Sequence, residues 1–119
     1  MALSYYAGYI DGEGCFEYQQ GKTPCVSVTN TYLRTLEELQ RFFGGNIYKN
    51  RRKERSRQNW KWYVYGEGAL TCLKLVMPYL KEKRKQAALV LHMRGLSKTK
   101  RRELCSTLRE MKQRESTDA

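Results

Sequence analysis

The sequence has one histidine, His92, and its four cysteines, Cys15, Cys25, Cys72 and Cys105, stand far apart without a CxxC pair. That leaves too few clustered soft ligands for a zinc centre. No Ser/His/Asp or Cys/His constellation can be assembled, and His92, among apolar helical neighbours, reads as packing. No apolar run approaches the ~20 residues needed to cross a bilayer, and the opening MALSYYAGYI lacks a signal-peptide pattern. The expectation is a soluble intracellular protein with reduced thiols and no membrane partner. Acid is also scarce, with 12 Asp+Glu against 23 Lys+Arg and a formal net charge of +11. A cationic excess concentrates polyanions and speeds encounter with them. Charge alone leaves a nucleic-acid partner and a merely soluble or ribosome-associated basic protein equally open.

What is present suffices for one core. The 119 residues are 40% hydrophobic and 12% aromatic, and a chain of this size buries roughly two-thirds of its unfolded surface. A single domain over residues 1–113 with a frayed tail at 114–119 is expected. A largely apolar helix covers about Ala2 to Gly12, and Gly12-Glu13-Gly14 stops it. Cys15 to Gln20 and Thr23 to Asn30 alternate as strands around a Gly21-Lys22 turn. Leu33, Leu36, Leu39 and Phe43 give the helical period over Thr31 to Phe43, which Gly44-Gly45 ends. Asn46 to Arg52 and Trp60 to Tyr65 form a second strand pair. Helices then follow over Gly66 to Leu80, broken near Pro78, over Lys81 to Leu96, and over Ser97 to Gln113. The class is α+β: an αββαββα order with a four-stranded antiparallel sheet backed by helices, plus a C-terminal helix. One sheet face is left open, and a DNA groove is a reasonable partner for it.

The stretch Tyr6-Ala7-Gly8-Tyr9-Ile10-Asp11-Gly12-Glu13-Gly14 resembles the LAGLIDADG signature of homing endonucleases. Val28-Thr29-Asn30-Thr31, the Gly44-Gly45-Asn46-Ile47 turn and the block Met77 to Ala87 match the family in order and spacing. The resemblance covers about residues 3 to 96. It implies a saddle-shaped sheet over the major groove and a homodimer of single-motif chains. The dimer seam would involve Tyr6, Ala7, Gly8, Asp11 and Gly12. It also implies a site-specific double-strand endonuclease of intron or intein homing, acting on a near-palindromic site and leaving 3′ overhangs. The implied cofactor is Mg2+, with Mn2+ as the substitute. Glu13, Asp11 and Gly12 stand at the metal positions, although Asp is more usual where this chain has Glu13, and the resemblance gives Asp11 mainly the role of stabilising the helix ends and the interface. Asn30, Arg34 and Lys83 join Glu13 as catalytic positions, with Lys81 the alternative to Lys83 in the same turn. Read without the family, Asn30 is a helix N-cap and Arg34 and Lys83 are exposed charges. Two other uses of the scaffold stay open: an intron RNA maturase and a DNA-binding regulator without catalysis.

The basic residues gather on the second hairpin and at Lys81 to Lys85. Glu17, Gln19, Thr23, Ser27, Lys49, Arg51 and Lys61 suit groove-facing positions that read base edges. Arg55 and Arg57, with Lys53, read as loop cations gripping phosphates. Trp60, Trp62 and Val64 are expected on the core face and Lys61, Tyr63 and Tyr65 on the open one; a one-residue slip would exchange them.

Overall fold

A computed structural model describes residues 3–51 and 57–117. The elements are α1 (Leu3–Glu13), β1 (Gly14–Gln19), β2 (Thr23–Asn30), α2 (Leu33–Phe43), β3 (Asn46–Lys49), β4 (Trp60–Tyr65), α3 (Glu67–Val76), a 3-10 turn (Met77–Tyr79), α4 (Arg84–Met93) and α5 (Lys98–Thr117). The expected αββαββα order is present. Two helices follow α3, and α5 runs on to Thr117, beyond the boundary expected at Gln113. The chain leaves the α3 axis where Pro78, with no N–H and a fixed φ, cannot extend an α-helix.

The sheet is fully antiparallel in the order β1-β2-β4-β3. Because side chains alternate across a strand, Phe16, Tyr18, Val26, Val28, Trp62 and Val64 share one face. They are buried against Ile10, Leu36, Leu39, Leu73, Val76, Val90 and Met93 from the helices. Trp62 is fully buried, and its indole N–H donates to the Gly44 carbonyl at 2.8 Å, which satisfies the one polar atom such a ring carries into a core. That bond brings the Gly44-Gly45 turn hard against β4. A Cβ on Gly45 would lie 2.3 Å from the Tyr63 carbonyl oxygen, and its φ is +92°, so glycine is required there.

The other face carries Cys15, Glu17 and Gln19 from β1, Thr23, Cys25, Ser27 and Thr29 from β2, Lys61, Tyr63 and Tyr65 from β4, and Asn46 and Tyr48 from β3. The β4 register is the one expected. The β3 register corrects an expectation: Lys49 lies opposite Trp60 and Ile47 opposite Trp62, so Lys49 falls on the helix-backed face and Tyr48 takes the open position. β3 also stops at Lys49, which leaves Arg51 exposed outside any strand. The Asn50 side chain donates to the Asn59 side chain at 2.6 Å, and Gln58 donates to the carbonyls of Asn50 and Asn59. These amides tie off the hairpin where the ladder ends. Arg55, like Arg52 and Lys53, lies outside the described residues.

Candidate active site

α1 ends at Glu13 and β1 begins at Gly14 without a connecting loop, so the last helical turn opens directly onto the sheet. Tyr6, Ala7, Ile10 and Asp11 form the buried side of α1, the spacing of one helical face. Tyr6 and Ala7 are therefore turned into the chain's own core, away from the outward seam expected of them. Ser4, Tyr5, Gly8 and Gly12 are exposed instead. A Cβ at Gly8 or Gly12 would meet nothing within 4 Å.

Asp11 is buried, and its carboxylate is engaged. Oδ2 accepts the backbone N–H of Lys81 at 3.0 Å and of Glu82 at 3.1 Å, and Oδ1 accepts that of Lys83 at 2.8 Å. These N–H groups lead into α4, whose N-cap, Lys83, makes no side-chain cap bond of its own. Asp11 thus supplies from α1 the negative charge that a helix N-terminus favours. Burial pushes its carboxyl up, but the N–H groups of Lys83, Glu82 and Lys81 and the Lys83 charge outweigh it and carry the value below the ordinary 3.8. The expected metal position at Asp11 is occupied by protein donors.

Lys83 answers in the opposite direction. Its Nζ donates to the Asp11 backbone carbonyl at 2.5 Å, satisfying one of the carbonyls left open at the end of α1. The ammonium is thereby held at the same helix end that carries Glu13. Lys81 gives only its backbone N–H to Asp11, and its side chain is exposed. Arg84, in the same basic cluster, donates to the carbonyls of Met77 and Pro78.

Glu13 is exposed and makes no hydrogen bond or ion pair with a described residue. Asn30, at the end of β2, donates from Nδ2 to the Tyr9 hydroxyl and accepts the Tyr32 N–H on Oδ1 at 3.1 Å. The second bond closes a turn onto Tyr32, the helix N-cap two residues on. Tyr9 was not singled out in the sequence. Burial raises its hydroxyl pKa, the Asn30 bond works against that, and the Glu13 charge adds to the rise. The available signal was position, since Tyr5, Tyr9 and Glu13 recur every four residues along one helix face. Arg34 stands exposed on α2 and makes no hydrogen bond or ion pair with a described residue. The structure therefore brings Asp11, Glu13, Asn30 and Lys83 to the end of α1, adds Tyr9, and gives Arg34 no bond to any of them.

On the open sheet face Cys25 and Ser27 are 2% and 5% exposed, so Ser27 is floor beneath taller neighbours. Glu17, Thr23 and Lys61 are half-buried, and Gln19 is exposed. Tyr48, Tyr63 and Tyr65 pack in a row of tilted rings, with centroids 5.5 and 5.0 Å apart. Arg57 is exposed in the loop before β4.

Comparison with known proteins agrees with the fold that carries these residues. The homing endonuclease I-CvuI, solved with the I-CreI target and magnesium, its DNA not cleaved, is 24% identical. The match covers 91% of this chain and 80% of that one with a TM-score of 0.70. The archaeal intron-encoded homing endonuclease I-Vdi141I, complexed with DNA, is 20% identical over 90% and 81% of the two chains, TM-score 0.70. A variant of I-SmaMI is 26% identical over 97% of this chain but 40% of its own, TM-score 0.57. No curated protein matches the chain. The model of the LAGLIDADG-like domain matches residues 1–77, which include the Asp11-Gly12-Glu13 end of α1, both hairpins and Asn30; the chain belongs to the LAGLIDADG family.

Proposed function

We propose that the chain is a site-specific DNA endonuclease of the homing type, working as a homodimer on a nearly palindromic duplex with a divalent metal ion. The observation that carries this reading is Glu13, an exposed carboxylate without a protein partner among the described residues, at a helix end that also holds the Lys83 ammonium. A carboxylate there faces the negative end of the helix dipole, so a cation is favoured. The DNA complexes of I-CvuI and I-Vdi141I support a duplex DNA partner for the open face.

The donor set fits a magnesium ion. Among the described residues no group of three or more His, Cys, Asp or Glu could hold a metal. Magnesium, however, takes one or two carboxylates and completes its shell with water and substrate phosphate. Glu13 and the Gly12 carbonyl would hold it. Bound there, it would supply an activated water and a counter-charge for the leaving oxygen.

The chain's own groups do the rest. One Nδ2 hydrogen of Asn30 is fixed on Tyr9, and its second hydrogen is left to hold a water. Lys83 has one hydrogen on the Asp11 carbonyl and two left for a phosphate oxygen as negative charge develops.

Pairing of two copies follows from the count of acids, because one motif supplies one free Glu13 and two strands must be cut. The exposed Gly8 and Gly12 leave room for a second α1 to approach, and the chain spans 40% of I-SmaMI. Two-fold symmetry then makes the target nearly palindromic.

The test is cleavage of a plasmid carrying the uninterrupted insertion site, with wild type and Glu13→Gln compared in magnesium. Wild type is expected to linearise the plasmid and Glu13→Gln to bind it without cutting. Full cleavage by Glu13→Gln, or binding without cleavage by wild type, overturns the reading; the latter outcome leaves a DNA-binding regulator.

A further inference from the structure

Along α5, Lys98, Arg102, Cys105, Arg109 and Lys112 recur at alternating spacings of four and three, which places them on one stripe. Three contacts fix where that stripe lies. At the far end of β1, a Cβ on Gly21 would sit 2.9 Å from Arg102 Cγ. Midway, the Cys105 thiol donates to the Tyr18 carbonyl at 3.2 Å. At the near end, Lys112 Nζ donates to Cys15 Sγ at 3.4 Å. α5 therefore runs antiparallel to β1 along the free edge of the sheet. Arg101, one residue off the stripe, anchors it by lying 5.5 Å over the Tyr18 ring and donating to the Tyr18 hydroxyl.

Between the helix and the open face lies a groove of about 520 Å³ whose walls include Glu17, Gln19, Arg102, Arg109 and Lys112. The stripe's cations have no acidic partner: among the described residues the one ion pair joins Arg94 to Glu67. The charges crowd instead, and the lysine at the head of α5 titrates low because Lys22, Arg102 and Arg101 repel its proton. Like charges gathered around a single acid, Glu17, are unfavourable until an anion arrives. Glu17, on the floor, disfavours a phosphate below the rim and leaves the rim to receive it.

We infer that α5 is a phosphate rail: Lys98, Arg102, Arg109 and Lys112, with Lys22 from the β1–β2 turn, grip the backbone of duplex DNA that lies along the open face. The inference rests on the proposed DNA reading and extends the contact surface to a helix that the domain match over residues 1–77 does not reach. Its geometry also says where on the DNA. From Lys98 to Lys112 α5 rises about 21 Å, and the six residues of β1 span about 20 Å from the Glu13 end. At about 3.4 Å per step, Arg102 and Lys98 meet phosphates about six base pairs outside the cut, and Lys112 meets phosphates close to it.

The experiment measures binding to the uninterrupted insertion site in calcium across a salt series. It compares wild type, Lys98→Ala/Arg102→Ala and a charge-matched control, Lys74→Ala/Lys100→Ala, with circular dichroism confirming the fold of each. Each lost phosphate contact lowers the slope of log affinity against log salt by about 0.9. The rail variant is therefore expected to lose about 1.8 while the control keeps the wild-type slope. Single-turnover cleavage at saturating protein should be unchanged. On a duplex trimmed to about five base pairs either side of the cut, rail variant and wild type should bind alike. A wild-type slope for the rail variant, an equal loss in the control, or an undiminished difference on the trimmed duplex overturns the rail. Failure of wild type to bind the duplex at all overturns the DNA reading instead.

Discussion

Asp11 and Lys83 hold each other by both ends: the Asp11 carboxylate accepts the Lys83 backbone N–H at 2.8 Å, and the Lys83 ammonium donates to the Asp11 backbone carbonyl at 2.5 Å. An orphan carbonyl of α1 and orphan N–H groups ahead of α4 are thus satisfied by a single pair of residues far apart in sequence. The pair fixes the end of α1, and with it Glu13, to the entry of α4.

Asp11→Asn keeps the shape and one acceptor oxygen but loses the charge that three N–H groups address. The cost should be about 2 kcal/mol, the scale of hydrogen bonding to a charged buried group. Because the folded value of Asp11 is depressed, its contribution is present above the ordinary carboxyl value of 3.8 and is lost as pH falls through the lower folded value. Urea melts at pH 7 and near pH 3 should show a wild-type advantage over Asp11→Asn that shrinks with acid. An advantage independent of pH would mean that the carboxylate is not the source of the stability.

The fold was legible because its signals are local. The period of Leu36 and Leu39, the alternation of β1, β2 and β4, and the Gly44-Gly45 stop each need only neighbouring residues. Trp60 to Tyr65 and Thr23 to Asn30 were placed residue for residue. β3 was read too long and on the wrong face at Lys49, because four strand residues running into a polar loop carry too little alternation to fix a register. At the site, the motif supplied Glu13 and the family spacing supplied Asn30 and Lys83. The engagement of Asp11 by Lys81, Glu82 and Lys83 was not legible, since no local pattern pairs residues so far apart. Tyr6 and Ala7 were given to the dimer seam because an apolar helix with glycines on one side and aromatics around it does not declare which face the chain's own core takes.

Tyr9→Phe removes one hydroxyl and nothing else from the site. Asn30 then keeps its Tyr32 bond but loses its second anchor, so its amide should hold a water less well. Single-turnover cleavage should slow by roughly 5- to 10-fold, on the order of 1 kcal/mol for a neutral hydrogen bond, with DNA affinity unchanged. Combined with Asn30→Ala, the loss should be no greater than that of Asn30→Ala alone. Fully additive losses would show that the two side chains act separately.

Gly8→Leu separates association from folding. With nothing within 4 Å of a Cβ at this exposed position, the chain by itself accommodates leucine, and the helix gains about 1 kcal/mol over glycine. A close α1–α1 seam would be overpacked by about 1–3 kcal/mol. Sedimentation should show wild type dimeric at micromolar concentration and Gly8→Leu shifted to monomer, with its thermal melt retained. An unshifted dimer would place the seam elsewhere.

Cys25 and Cys72 should be inert. Burial pushes the Cys72 thiol up to about 12, and burial with the neighbouring Glu17 charge pushes Cys25 up to about 11. The thiolate, which is the reactive form, is therefore rare at pH 8. Native labelling with iodoacetamide followed by mass spectrometry should leave both unmodified until the protein is unfolded. Rapid native alkylation of Cys72 would mean that the core around α3 opens readily.

Lys83 and Lys81 offer the sharpest separation of roles, because they sit two residues apart and differ in where the ammonium goes. The Lys83 ammonium is held on the α1 end, whereas Lys81 is exposed and contributes through its backbone N–H, which substitution leaves in place. Lys83→Met should slow single-turnover cleavage by ~10-fold or more, as expected when a cation near developing phosphate charge is removed. Binding in calcium should barely move. Some of the Lys83 loss could instead come from freeing the Asp11 carbonyl and loosening the end of α1, and Lys83→Arg distinguishes the two. Arginine keeps a cation able to donate to that carbonyl but delivers a bulkier group, so stability should recover while cleavage stays slow. Lys81→Met should cut at the wild-type rate. If Lys81→Met is the slow variant and Lys83→Met is not, the ammonium that serves the phosphate is Lys81, and the Lys83 contact only anchors the helix.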